Sequence, residues 1–326
     1  MAGLERKVHQ PIHPDVLPKL DPEFAAFWNA TDAYNTPLEL RPWDPACRHG
    51  PHVLGGSEPL QVGEVEDIDL GKFNVRVFTP EGTAPEQGWP VFIYFHGGGW
   101  TLGNITTNNA FATNVCKRAN CVVVSVNYRL APEDPYPAAV EDAVEALQWV
   151  YREGKARLNA DLSRLAVGGS SSGSNLAAIL AHKAVQFEPP IPLISQLLVV
   201  PVIDNTASPT GVPYKSWAEN ANTVQLTPAF MLWFRDNYLP NVADRAAWES
   251  SPIYAPEASF RKLPKACVQV MELDILRDEG IAYAEKLKDH GVEAEVILYK
   301  TAPHPILSMD GYERQFNIGR LTDVCA

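Results

Sequence analysis

From about residue 61 the apolar and polar positions settle into a β rhythm broken by helical stretches. Val62 to Asp69 and Phe73 to Phe78 read as two strands joined at Gly71-Lys72. A loop from Pro80 to Pro90 follows. Val91-Phe92-Ile93-Tyr94-Phe95 is then apolar without interruption, which predicts a strand buried on both faces. A helix near Asn108 to Arg118 leads to a second buried run, Cys121 to Val126. The helix predicted at Ala138 to Tyr151 carries Val140, Val144, Leu147 and Tyr151 on one face. The short run Leu165 to Val167, a small-residue helix over Asn175 to His182 and another buried run, Leu193 to Val202, extend the alternation. Strands separated by helices predict a mostly parallel sheet with helices on both faces.

Two segments stand outside this rhythm. Residues 1 to about 55 are rich in proline and hold one helical patch, with Phe24, Phe27 and Trp28 at i, i+3 and i+4. Residues 205 to 255 have no strand pattern but carry Trp217, Phe230, Met231, Trp233, Phe234, Tyr238 and Trp248. That is more apolar surface than two exposed segments leave in water, so both are expected to roof a pocket. The strand and helix rhythm resumes with a strand over Ala266 to Glu272, then a helix over Glu279 to His290 capped by Gly291. A strand over Glu293 to Tyr299, a loop holding His304 and a last helix from about Ser308 complete it. The domain reading is a core formed by 56–204 and 256–326, with cap segments at 1–55 and 205–255.

The chemistry starts at the turn after Leu165 to Val167. Gly169-Ser170-Ser171-Ser172-Gly173 is a G-x-S-x-G pentapeptide placed between a strand and a helix. Of the three serines only Ser171 has glycine at both −2 and +2, so Ser171 is the expected nucleophile. The helix behind it presents free N–H groups and a positive dipole end to a developing oxyanion.

Composition narrows the function further. The 326 residues are 46% hydrophobic and 20% charged, which suits one large globular domain with an insertion. A net charge of −12 argues against nucleic acid or an anionic membrane surface as partner. Cys47, Cys116, Cys121, Cys267 and Cys325 are an odd number without CxxC spacing, which points to free thiols in a reducing compartment. The first residues lack the apolar stretch of a signal peptide, so the cytoplasm is the expected location. The longest apolar stretch, Leu193 to Ile203, is interrupted by Ser195 and Gln196 and is too short to span a bilayer.

A neutral serine needs a base, usually histidine. His9, His13, His49 and His52 lie in the N-terminal segment, off the sheet. His182 sits about three turns along the helix after Ser171 and reads as structural. His290 belongs to a helix C-terminus, and His96 begins a glycine run. His304 remains, beyond the last strand, at the sheet edge where sites are built. The acid is expected after a strand end and before His304 in sequence. Asp274 fits, with Asp204 second; Asp278 and Glu279 read as helix N-terminal residues. His96-Gly97-Gly98-Gly99 supplies an oxyanion hole, with the N–H groups of Gly97, Gly98 and Ser172 as donors. Trp100 beside this run, and Phe24, Trp28, Phe230 and Met231 from the caps, are the expected substrate contacts.

Taken together, four stretches resemble the hormone-sensitive-lipase family of α/β-hydrolases: His96-Gly97-Gly98-Gly99-Trp100, Tyr128-Arg129-Leu130-Ala131-Pro132-Glu133, the Ser171 turn running into Asn175-Leu176-Ala177, and Asp274-Ile275-Leu276-Arg277-Asp278-Glu279-Gly280. The resemblance covers about residues 60 to 310. It implies an α/β-hydrolase fold with a mostly parallel eight-stranded sheet and a helical cap. It also implies a serine carboxylesterase acting on a small-molecule ester, preferring short to medium acyl chains, with no metal or organic cofactor. A homodimer is a candidate assembly. The same triad would serve an amide or formamide hydrolase, and plant relatives of the fold include non-catalytic small-molecule receptors. Two places depart from the family pattern. Ser170 and Ser172 stand where Asp and Ala are common, and His304-Pro305-Ile306 replaces His-Gly-Phe, so Pro303 and Pro305 stiffen the loop around the base.

Overall fold

The fold is known from a computed structural model that describes residues 6–48 and 57–304. The chain opens with α1 (Pro22–Ala30), capped by Asp21, whose carboxylate accepts from the N–H groups of Glu23 and Phe24. Strands β1 (Glu64–Asp69), β2 (Asn74–Thr79) and β3 (Trp89–Phe95) follow. Then come α2 (Asn109–Ala119), β4 (Val122–Asn127), α3 (Ala138–Leu158), β5 (Ala160–Ser170) and α4 (Ser172–Ala184). The next elements are β6 (Ser195–Val199), the short α5 (Ser216–Glu219), α6 (Pro228–Tyr238) and the short α7 (Glu257–Phe260). The described part closes with β7 (Lys265–Met271), α8 (Arg277–Asp289) and β8 (Ala294–Tyr299). The final helix predicted from Ser308 lies outside the described residues.

One eight-stranded sheet holds the elements together, in the order β1-β2-β4-β3-β5-β6-β7-β8. β2 pairs antiparallel with β1 and β4, and every other pair is parallel. This is the mostly parallel sheet that the alternation predicts. The uninterrupted run in β3 is buried at every position because both faces are covered. Val91, Ile93 and Phe95 join one core, under α3, α4 and α8. Phe92 and Tyr94 point the other way, into a second core with α2 and α1. The edge strand β1 is almost wholly solvent-facing and charged, which discourages pairing with another chain. β5 is longer than the sequence suggests, because Asp161 to Arg164 remain extended though only Leu162 among them is apolar.

Parallel strands put their C-terminal ends on one edge. The loops after β3, β5, β7 and β8 carry His96, Ser171, Asp274 and His304 respectively, and all open at that edge. None of Cys47, Cys116, Cys121 and Cys267 is in a disulfide. No helix among the described residues is long and apolar enough to cross a membrane.

Candidate active site

Strand β5 runs straight into α4 with Ser171 alone at the bend. Its backbone has φ 54° and ψ −119°, a conformation L-residues rarely adopt. The surroundings hold it there. The Ser171 N–H donates to the Val199 carbonyl at 2.8 Å. Ser174 donates to the Gly169 and Val199 carbonyls at 2.6 and 2.8 Å and accepts from the Val199 N–H. At Gly173 a Cβ would lie 2.0 Å from the Phe95 carbonyl oxygen, so only glycine lets α4 start this close to β3. Asn175 extends the anchoring by donating to the carbonyls of Val202 and Ser250.

His304 faces Ser171. Its Nε2 is 3.0 Å from the Ser171 Oγ, and its Nδ1 is 2.7 Å from Asp274 Oδ2. Asp274 is fully buried, and its other oxygen accepts from the Leu276 N–H at 3.0 Å. The two loops are stitched together, since the Leu273 N–H donates to the Ala302 carbonyl and the Thr301 N–H to the Glu272 carboxylate. The structure therefore brings together the three residues that the sequence singles out. Asp204 is elsewhere: its carboxylate accepts from the Tyr214 and Tyr254 hydroxyls and from Thr206.

Asp278, Glu279 and His182 have other partners. Asp278 accepts from the Ser216 N–H and pairs with Arg277. Glu279 does more than flank a helix start. It is fully buried, accepts from the Ile203 N–H and the Trp217 indole, and burial pushes its carboxyl up to about 8. His182 is buried between Ser259 and Tyr283, and its ring meets Phe260 edge-on at 4.6 Å. Burial, then the Lys286 charge, hold its imidazole down to about 3. The folded protein thus refuses a proton that the unfolded chain accepts near 6.5. The stability this group contributes is complete above pH 6.5 and is lost as pH falls towards 3. Urea unfolding should show about 2 kcal/mol less stability from this residue at pH 5 than at pH 7.5. His182→Asn should flatten the slope of stability against pH by about one proton over that range; an unaltered slope would refute the assignment.

A cleft of about 690 Å³ opens above Ser171. Gly97, Gly98, Ser170, Ser171 and His304 form its floor, and both aromatic-rich segments line it, through Trp28 and Leu38 on one side and Phe230 and Phe234 on the other. Ser172 is buried in the first turn of α4, where backbone N–H groups have no intrahelical partner. Three of the expected substrate contacts are not on the wall. Trp100, with φ 55°, is fully buried and its ring stacks on Tyr238 at 4.2 Å. Phe24 faces the sheet and packs into the second core, and Met231 points into the first core, a third of a helical turn from Phe230. α1 is thus mainly a core helix, and Trp28 is its cleft residue; the Trp28 indole donates to the Gln10 carbonyl.

Phe234, which the sequence places in the roof, lines the cleft and also packs against Gly99, where a Cβ would lie 2.2 Å from its ring. Other cleft residues carry no sequence signal. Gln10, Asp32, Asn35, Asn108 and Gln225 give the cleft a polar side. They have no common spacing, and only the fold assembles them.

A family model described as the alpha/beta hydrolase fold matches residues 92–308. The chain belongs to the hormone-sensitive-lipase-like family of α/β-hydrolases. An AB hydrolase superfamily protein of Schizosaccharomyces pombe is 45% identical over 312 residues, covering 92% of this chain and 91% of the relative. Carboxylesterase NlhH of Mycobacterium tuberculosis is 39% identical over 71% of this chain and 70% of its own. The crystal structure of a thermostable esterase from Pseudomonas putida superposes with a TM-score of 0.78 at 32% identity, covering 91% of this chain and 92% of that one.

Proposed function

We propose that Ser171, His304 and Asp274 hydrolyse carboxylic esters of neutral small molecules through an acyl-enzyme. The chain is a carboxylesterase-type hydrolase, like its esterase relatives. The observation that carries the finer reading is the continuous hydrogen-bonded line Ser171–His304–Asp274 at the floor of the cleft. His304 Nε2 accepts the Ser171 proton as Oγ attacks the ester carbonyl carbon. The carbonyl π pair moves onto oxygen, and the N–H groups of Gly97, Gly98 and Ser172 stabilise that charge. Asp274 fixes the imidazole with its proton on Nδ1 and offsets the charge of the imidazolium. The C–O bond then breaks, and the alcohol leaves with the proton from Nε2. Water, deprotonated by His304, attacks the acyl-Ser171 ester; the acyl C–Oγ bond breaks, Nε2 returns the proton to Ser171 Oγ, and the carboxylic acid leaves. The cap segments are the N-terminal residues and the 205–255 insertion, and their closure over the floor excludes bulk water from the oxyanion.

The test is turnover of p-nitrophenyl esters from C2 to C16, before and after a serine-directed phosphonate. Short and medium chains should be cleaved and the longest poorly, because a cleft of about 690 Å³ walled by Trp28, Phe230 and Phe234 has limited depth. Phosphonate should remove the activity and add its mass to the peptide holding Ser171. Activity that survives full phosphonylation would sink the serine mechanism, and a flat profile to C16 would sink the chain-length preference.

A further inference from the structure

The motif Tyr128 to Glu133 supplies nothing to the triad, yet Tyr128 and Ala131 bond to the glycine loop while Arg129 is tied to Glu141 and Asp142 of α3. The Tyr128 hydroxyl donates to the His96 carbonyl at 2.8 Å, and its ring stacks on the His96 imidazole at 4.4 Å. The Ala131 N–H donates to the Trp100 carbonyl at 2.8 Å. Onto this motif the N-terminal segment lowers a single guanidinium. Arg48 Nε donates to the Thr101 carbonyl at 2.7 Å, while Nη2 donates to the Ala131 carbonyl at 2.7 Å and to the Glu133 carboxylate at 2.6 Å. Trp43 donates its indole N–H to the other Glu133 oxygen, covers the Arg48 guanidinium, and meets Trp233 of α6 at 5.9 Å. Asn104, just past the loop, donates to the Arg48 carbonyl.

The Thr101 carbonyl is a lever on the loop. The Thr101 and Leu102 N–H groups both donate to the Gly98 carbonyl, so Thr101 and Gly98 belong to one closed turn. A guanidinium that fixes the Thr101 carbonyl therefore fixes the direction of the neighbouring backbone N–H groups. Its planar fork reaches two carbonyls and a carboxylate together, which a lysine ammonium on a flexible stem does not reproduce. We propose that Arg48 is a positioning residue for the hydrolysis, a clip by which the docked N-terminal segment holds the glycine loop in its working shape. Docking of that segment and assembly of the oxyanion site are then one event, and the Tyr128–Glu133 motif is the seat that receives it. This rests on Gly97 and Gly98 being the oxyanion donors.

The test compares Arg48→Lys, Arg48→Ala and Glu133→Gln in the full chain. Three readouts are taken: kinetics on p-nitrophenyl acetate, inhibition by a phenyl trifluoromethyl ketone, and hydrogen exchange at the Thr101 and Leu102 amides. The ketone reports on the oxyanion site, because Ser171 converts it to a hemiketal anion. Arg48→Lys and Arg48→Ala should each lower kcat by about 10- to 100-fold, less than deleting a hole donor, with KM within about threefold. Ketone affinity should fall in parallel, and exchange at Thr101 and Leu102 should quicken. Glu133→Gln keeps an acceptor and both carbonyl contacts, so its kcat should stay within about fivefold. If Arg48→Lys matches the wild type while Glu133→Gln is as impaired as Arg48→Ala, the contact is a simple ion pair and the proposal is wrong. Unchanged exchange at Thr101 and Leu102 in Arg48→Ala overturns it too, even if the wild-type protein cleaves no ester. Absence of wild-type turnover and ketone binding would instead refute the hydrolase reading.

Discussion

Ser171→Ala should abolish ester turnover, while Ser170→Ala and Ser172→Ala should keep a substantial fraction of it. Three adjacent hydroxyls make this a sharp test of position. Only Ser171 sits at the bend with φ 54°, and only its Oγ lies 3.0 Å from His304 Nε2. Ser170 is the last residue of β5, and Ser172 is the first of α4. In the proposed mechanism Ser172 contributes its backbone N–H, which alanine retains. Removal of a nucleophile from such a triad costs about 10⁶ in kcat in the subtilisin comparison, leaving what the oxyanion site and binding supply. The measurement is kcat on p-nitrophenyl acetate for the three purified variants, with circular dichroism to verify the fold. Equal loss in Ser171→Ala and Ser172→Ala would move the nucleophile.

Asp274→Asn should cost about 10⁴ in kcat, the size found when a protease triad loses the right imidazole tautomer. The local geometry explains why. Asp274 Oδ1 accepts the Leu276 N–H, so the amide oxygen of asparagine takes that place. The amide NH₂ then faces His304 Nδ1 and makes it an acceptor. The proton moves to Nε2, where it blocks transfer from Ser171. Asp204→Asn leaves His304 untouched, since its partners are Tyr214, Tyr254 and Thr206, and should change kcat by less than about tenfold. Rates across pH on both folded variants decide the matter; the reverse ranking would hand the acid role to Asp204.

Much of this arrangement could be read from the chain because its signals are local. The buried run in β3, the glycines around Ser171 and the triple glycine after His96 each impose a backbone shape on a few consecutive residues. Strand ends are legible for the same reason, so the sequence alone puts Asp274 and His304 on one sheet edge. The cleft wall was less legible. Helical spacing puts Phe24 with Trp28, yet the face they share turns mostly to the core, and only Trp28 reaches the cleft. Trp100 looked like a cleft residue from its place beside the glycines, but it is buried against Tyr238. Arg48 carried no signal at all, because a surface-type residue in a proline-rich stretch acquires its role from carbonyls more than fifty residues away.

The segment between β6 and β7 is bonded closely to the loop that holds Asp274. Asn220 donates to the Glu272 and Asp274 carbonyls, Thr223 to that of Leu273 and Ser216 to that of Ile275, while the Trp217 indole donates to the Glu279 carboxylate. Every backbone carbonyl from Glu272 to Ile275 thus accepts from a side chain of this segment. Such a segment cannot be exchanged as a cassette. A graft that brings another enzyme's selectivity must also carry Ser216, Trp217, Asn220 and Thr223, or the loop holding Asp274 loses the donors that shape it. Diversification of this scaffold is thereby channelled to the stretch beyond Thr223, where Leu226, Phe230 and Phe234 meet the cleft and none of these bonds is at stake.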